Sequence, residues 1–123
     1  MDVLGTYTSE VKSELERTIA IAIVNKVARA KGSLVAISLR DLARYADTRI
    51  SERLKWAYEY NPRGLTFIAS QFNRIMDRLA RAGIVERIDD TYIIGRDSPI
   101  WDFARREPSE AVGMLLAWLS QAN

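Results

Sequence analysis

The sequence predicts a mainly α fold carrying one small β-hairpin, and three observations carry that expectation. Apolar residues recur at three- and four-residue spacing through most of the chain. One stretch, GIVERIDDTYII (83–94), instead alternates about an Asp89-Asp90 pair, as two short strands joined by a two-residue turn do. The composition is that of a globular chain, with 48% hydrophobic and 28% charged residues. At 123 residues a single domain is expected, with a core over about 15–94 and a C-terminal helical extension over 98–121.

Thr8 or Ser9 can cap a long helix reaching about Lys31, with Val11, Leu15, Ile19, Ala22, Ile23, Val27 and Ala30 on its apolar side and Gly32 ending it. Ile21 and Val24 widen that side, so the helix is either central to the core or shared with a partner. SLVAIS (33–38) reads as a short strand. Ser38 and Asp41 then form an S-x-x-D start for a helix over 39–46, with Leu39, Leu42 and Ala43 facing the core. Residues 47–61 read as another helix, ended by Asn61-Pro62-Arg63-Gly64.

The clearest helix is LTFIASQFNRIMDRLARAG (65–83), with Ile68, Phe72, Ile75, Met76 and Leu79 as its buried stripe and Gly83 as its stop. In the hairpin that follows, Ile84, Ile88, Tyr92 and Ile94 form an alternating core-facing set. Asp-Asp is an acceptable turn, although glycine would relieve a positive φ better. Ser98-Pro99 opens a short helix, IWDFARR, and a last helix covers about 109–121. Ala111, Val112, Leu115, Leu116 and Leu119 make one face of that helix, with Met114 and Trp118 four apart beside it.

Absences exclude whole classes of chemistry. Without cysteine there are no disulfides or thiolate metal sites, and without histidine the commonest general base and the usual zinc ligands are gone. No P-loop, G-x-G-x-x-G or G-x-S-x-G motif occurs. Asp89 and Asp90 suit chain reversal better than acid–base work. We therefore expect no enzymatic activity and no cofactor. No run of 18 apolar residues or secretory leader is present, so the expected location is cytoplasmic with no membrane partner.

Charge is uneven. Residues 39–81 carry nine Lys+Arg against five Asp+Glu, net +4, whereas residues 82–123 carry four against seven, net −3. Fourteen of the 18 basic residues are Arg, whose fork suits phosphates and base edges. The same bias, with absent Cys, also fits a heat-adapted source.

Two stretches carry a family resemblance. ISLRDLARYA resembles the strand and second helix of winged helix-turn-helix proteins, and SQFNRIMDRLARAGIVERIDDTYII resembles their recognition helix running into the wing. The R-x-x-x-R-L-x-x-x-G-I-V pattern followed by an apolar hairpin is common among small prokaryotic and archaeal regulators. The resemblance covers roughly residues 15–94. It departs from the usual pattern at 47–64, where an inserted helical segment separates the second helix from the recognition helix. LARYADTRISERLKWA, read alone, also resembles a helix-turn-helix. The 66–82 helix is the better recognition helix, because a hairpin follows it directly.

The resemblance implies double-stranded DNA as partner and transcription regulation as role. On the 66–82 helix the candidate contacts are Gln71, Asn73, Arg74, Arg78 and Arg81, the three arginines falling on one line. Asn and Gln can read adenine, and Arg can read guanine or grip phosphate. The competing reading is a solvated face in which Asp77 pairs with these arginines, at ~0.2–0.5 kcal/mol a pair.

Arg87 and Arg96 are the hairpin's only groups suited to phosphate, and the acidic tip is expected to stay out of a groove. In the inserted segment Arg49, Arg53, Trp56 and Tyr60 share a face, which fits phosphate contact with stacking or partner contact, or else a rim over the core. Met114 and Trp118 are candidate contacts of a homodimer, or else close the core within one chain. Two other functions compete with duplex binding: a protein-interaction module inside a larger assembly, and single-stranded nucleic-acid binding.

Overall fold

Helix α1 (Val3–Ala28) lies at the centre of the computed structural model, which describes residues 3–45 and 62–121, and side chains over 13–42, at 66 and over 68–121. The chain continues through β1 (Leu34–Ile37), α2 (Leu39–Tyr45), α3 (Pro62–Arg81), β2 (Glu86–Ile88), β3 (Thr91–Gly95), α4 (Trp101–Arg106) and α5 (Pro108–Gln121). The result is mainly helical with a small three-stranded antiparallel sheet. The helix expected over 47–61 lies outside the described residues.

The wide apolar surface of α1 is used within the chain. Leu15, Ile19, Ala20, Ala22, Ile23, Val24 and Val27 are all buried, and α1 packs against β1 and each of α2, α3, α4 and α5. Thr18, buried among them, donates its hydroxyl hydrogen to Glu14 O at 2.7 Å, so no polar group is stranded. The helix ends three residues before the expected Lys31. Its terminal carbonyls are met by Arg105 of α4, whose Nη1 donates to Val27 O at 3.1 Å and Ala30 O at 2.9 Å. A cation there also complements the negative end of the helix dipole.

The Ser38–Asp41 start forms as expected. The Ser38 N–H and hydroxyl donate to Asp41 Oδ2 at 2.7 and 3.0 Å, and the Asp41 N–H returns to Ser38 O at 3.1 Å. Lys26 of α1 reaches the same carboxylate at 2.8 Å and Ala36 O at 2.6 Å, joining α1, β1 and α2 at one point. Burial works against the Asp41 charge, but the hydrogen bonds from Lys26 and Ser38 outweigh it and hold its pKa below the usual value.

Pro62, Arg63 and Gly64 of the expected break lie within a helix, because α3 begins at Pro62 itself. Proline is at home in a first helical turn, where its missing N–H has no intrahelical partner in any case. The other end of α3 matches expectation. Gly83 has φ +78°, its N–H donates to Ala80 O and the Ile84 N–H donates to Leu79 O, both at 3.0 Å, which is a Schellman stop.

The sheet order is β1-β3-β2, with Leu34 opposite Gly95, Ile37 opposite Tyr92 and Ile88 opposite Thr91. Ile37, Tyr92 and Ile94 face the core, and Ile84 packs against it from just before β2. Ile88 departs from the core-facing set and is 48% exposed. A two-residue turn pairs 88 with 91 and 87 with 92, so Arg87 and not Ile88 shares the face of Tyr92.

The Ser98-Pro99 start also differs, since α4 begins at Trp101. The Ser98 hydroxyl donates instead to Ile84 O at 2.6 Å, fastening the segment after the sheet to the start of the hairpin. Ala111, Leu115 and Leu119 of α5 close the core over α1 and α4. No described helix is long and apolar enough to cross a membrane.

Candidate nucleic-acid interface

The outward face of α3 follows from its inward one. Burying Phe72, Ile75, Met76 and Leu79 leaves Ser70, Asn73, Arg74 and Arg81 exposed and Gln71 half-buried. Arg74 makes no hydrogen bond or ion pair with any described residue. These groups do not form one continuous arginine line, because Arg78 leaves it. Arg78 is half-buried, and its Nη2 donates to Leu119 O near the C-terminal end of α5, while its Nε is buried without a partner. The expected stripe therefore divides. Asn73 lies beside the hairpin, where the Tyr92 hydroxyl donates to its Oδ1 at 3.5 Å, Arg74 is exposed on the outward side of α3, and Arg81 donates to Asp77 O at 3.5 Å.

Asp77 faces the hairpin and not its helical neighbours. Arg87 Nη1 donates to its two carboxylate oxygens at 3.0 and 3.2 Å, and the Tyr92 hydroxyl donates to Oδ1 at 2.9 Å. Arg87 also donates through Nε to Asp89 O at 3.1 Å and stands 5.4 Å from the centre of the Tyr92 ring. Phe72 meets the same ring edge-on at 5.9 Å. Burial of Tyr92, followed by the hydrogen bond to and charge of Asp77, pushes the phenol pKa up to about 12. This network fixes the hairpin against α3 and commits Arg87, expected as a phosphate ligand, to a structural task. Sequence spacing held no sign of it, because Asp77, Arg87 and Tyr92 meet only through the sheet register.

Between the hairpin turn and α3 lies a cleft of about 450 Å³ lined by Lys26, Ser38, Asp41, Asn73, Asp90 and Tyr92, among others. Asp89 and Asp90 at the tip are exposed, and Arg87 approaches Asp90 only at 3.9 Å. The candidate surface is thus made of Ser70, Gln71, Asn73 and Arg74 on α3, with Asp90 lining the same cleft as Asn73.

The chain matches no family model, no curated protein and no solved structure. Its own geometry is what bears on function. Asn73 and Gln71 are of the types that read base edges, and Arg74 can grip phosphate or guanine. No group of three or more Asp or Glu among the described residues could hold a metal ion.

The remaining expected residues fall elsewhere. Arg49, Arg53, Trp56 and Tyr60 lie outside the described residues. Met114 is 47% exposed on α5, while Trp118 packs partly against the core. Trp118 therefore closes the fold in part, and of the two only Met114 stands as exposed apolar surface. Arg96, after β3, is exposed at the end of the sheet away from the tip.

Proposed function

We propose that the chain is a winged helix-turn-helix domain that binds double-stranded DNA through Asn73, Arg74 and Gln71 on α3, acting in transcription regulation. The carrying observation is that α3 runs through the Gly83 stop directly into a hairpin whose inner strand pairs with β1, with the exposed polar side chain of Asn73 beside that hairpin and Arg74, next to it in sequence, without a partner among the described residues. In such folds the outward face of the helix before the wing enters the major groove. A second copy would add a matching half-site about 34–36 Å away.

The test is duplex binding measured across salt concentrations. A triple Gln71→Ala, Asn73→Ala, Arg74→Ala protein should lose about 1–3 kcal/mol for each base contact removed, and its salt slope should fall by about one for the lost phosphate contact. Unchanged affinity and slope would sink the assignment.

One observation favours a second reading, a protein-interaction module. The sheet face turned away from the core carries Leu34, 57% exposed, with Ile88 and half-buried Ile93, next to an acidic tip. A Leu34→Lys, Ile88→Lys protein keeps its duplex affinity under the first reading. Absence of duplex binding by the parent at low salt, with recovery of a protein partner that survives nuclease and is lost in the folded Leu34→Lys, Ile88→Lys variant, would decide for the module.

A further inference from the structure

At the end of the sheet away from the hairpin turn, a recess of about 410 Å³ opens where the loop after α1, the segment after β3 and α4 meet. Lys31, Arg96 and Arg105 line it from these three places, together with Gly32, Trp101 and Asp102. Arg105 is held in position: its Nη1 donates to Val27 O of α1 and to Ala30 O just after it, and its guanidinium carbon lies 5.9 Å from the centre of the buried Trp101 ring. Nε and Nη2 make no hydrogen bond with a described residue. The backbone of Arg96 is pinned by its N–H to Ser33 O at 3.1 Å, yet neither its side chain nor that of Lys31 has a hydrogen-bond or ion-pair partner among the described residues.

Three cations around one concavity repel each other, and the single carboxylate there, Asp102, offsets only one of them. The chain has 16 acidic residues with which a purely structural cluster could have been neutralised. A concave surface with excess positive charge concentrates anions, and guanidinium forks match tetrahedral oxyanions in particular. We infer that this recess is a binding site for a phosphate-class oxyanion, with Arg105 as its fixed donor and Lys31 and Arg96 closing on it from the rim.

The register sets this site apart from the α3 surface. β1 runs from Leu34, beside Gly95 and the recess, to Ile37, beside Tyr92 and the hairpin turn. The site therefore does not depend on the function proposed for α3. Its phosphate could belong to a free small molecule or to a nucleic-acid backbone, and the experiment distinguishes these sources.

Pyrophosphate is the probe, titrated into the whole chain against sodium chloride of matched ionic strength, with the thermal midpoint as readout. Specific binding raises the midpoint progressively with pyrophosphate concentration and beyond the chloride control. A Lys31→Ala, Arg96→Ala double variant removes two exposed side chains that have no partner among the described residues and relieves their repulsion, so its midpoint in chloride should match or exceed the parent's. Its pyrophosphate affinity should fall roughly tenfold or more per cation. Asp102→Asn should bind more tightly, and Arg74→Ala should bind as the parent does.

An equal response to pyrophosphate and chloride, or a double variant that keeps the parent's response, overturns the inference. The same double variant assayed on duplex DNA identifies the source. An unchanged salt slope assigns the site to a free phosphate compound, and a lowered one assigns it to the phosphodiester backbone.

Discussion

Asp89 carries the hairpin turn at φ 54°, the only described residue other than glycine with positive φ. That region costs an L-residue about 1–2 kcal/mol, somewhat less for Asp, whose short side chain tolerates it. Asp89→Gly should therefore stabilise the protein by up to about 1 kcal/mol in urea unfolding, while Asp90→Gly, at a position without positive φ, should not. Tyr92 makes a different prediction. Its phenol is raised from 10.0 to about 12 by burial first and the bond to Asp77 second. A raised acid favours its neutral form in the fold, so its contribution is whole below pH 10 and fades as pH climbs towards 12. Tyr92→Phe should flatten the stability profile across that interval. A parent and variant with parallel alkaline profiles would show that the phenol is not protected.

At the scale of elements, the junction of α1, β1 and α2 rests on one carboxylate. Asp41→Ala removes both the reciprocal cap and the partner of Lys26, and should cost about 1–2 kcal/mol. The lowered pKa fixes the sign of the acid response: the contribution is present above the ordinary value of 3.8 and is lost as pH falls through the depressed folded value. Acid titration of parent and variant should thus converge at low pH. The Ser38–Asp41 cap, the Gly83 stop and the hairpin were legible in sequence because each is a local device, complete within a few residues. Asn61-Pro62-Arg63-Gly64 was ambiguous for the same reason, since a proline that ends one element is equally suited to open the next. The exposure of Ile88 was legible too, once the parity change across a two-residue turn is applied. The commitments of Arg78 and Arg87 were not, because a helical wheel identifies a face but not the element packed against it.

In the whole molecule, Arg78 ties α3 to the end of α5 across 41 residues of chain. Removing a charged hydrogen bond of this kind costs about 1.5–3 kcal/mol, but its Nε is buried without a partner, which offsets part of the gain. Arg78→Met, which keeps the apolar stem, should therefore destabilise less than Arg78→Ala in urea unfolding. Neither change should alter duplex affinity if Arg78 has only this structural role, and a loss in folded variants would return it to the interface. The central position of α1 bears on how the protein is made. Its apolar sides are covered by β1, α2, α3, α4 and α5, all encoded after it. During synthesis α1 thus leaves the ribosome before every element that covers it, and it waits with part of its apolar surface, including Ile19, Ile23 and Val27, not fully enclosed until residues 108–121 arrive. Chaperone demand and aggregation of nascent chains should follow from that delay and not from any weakness of the finished fold.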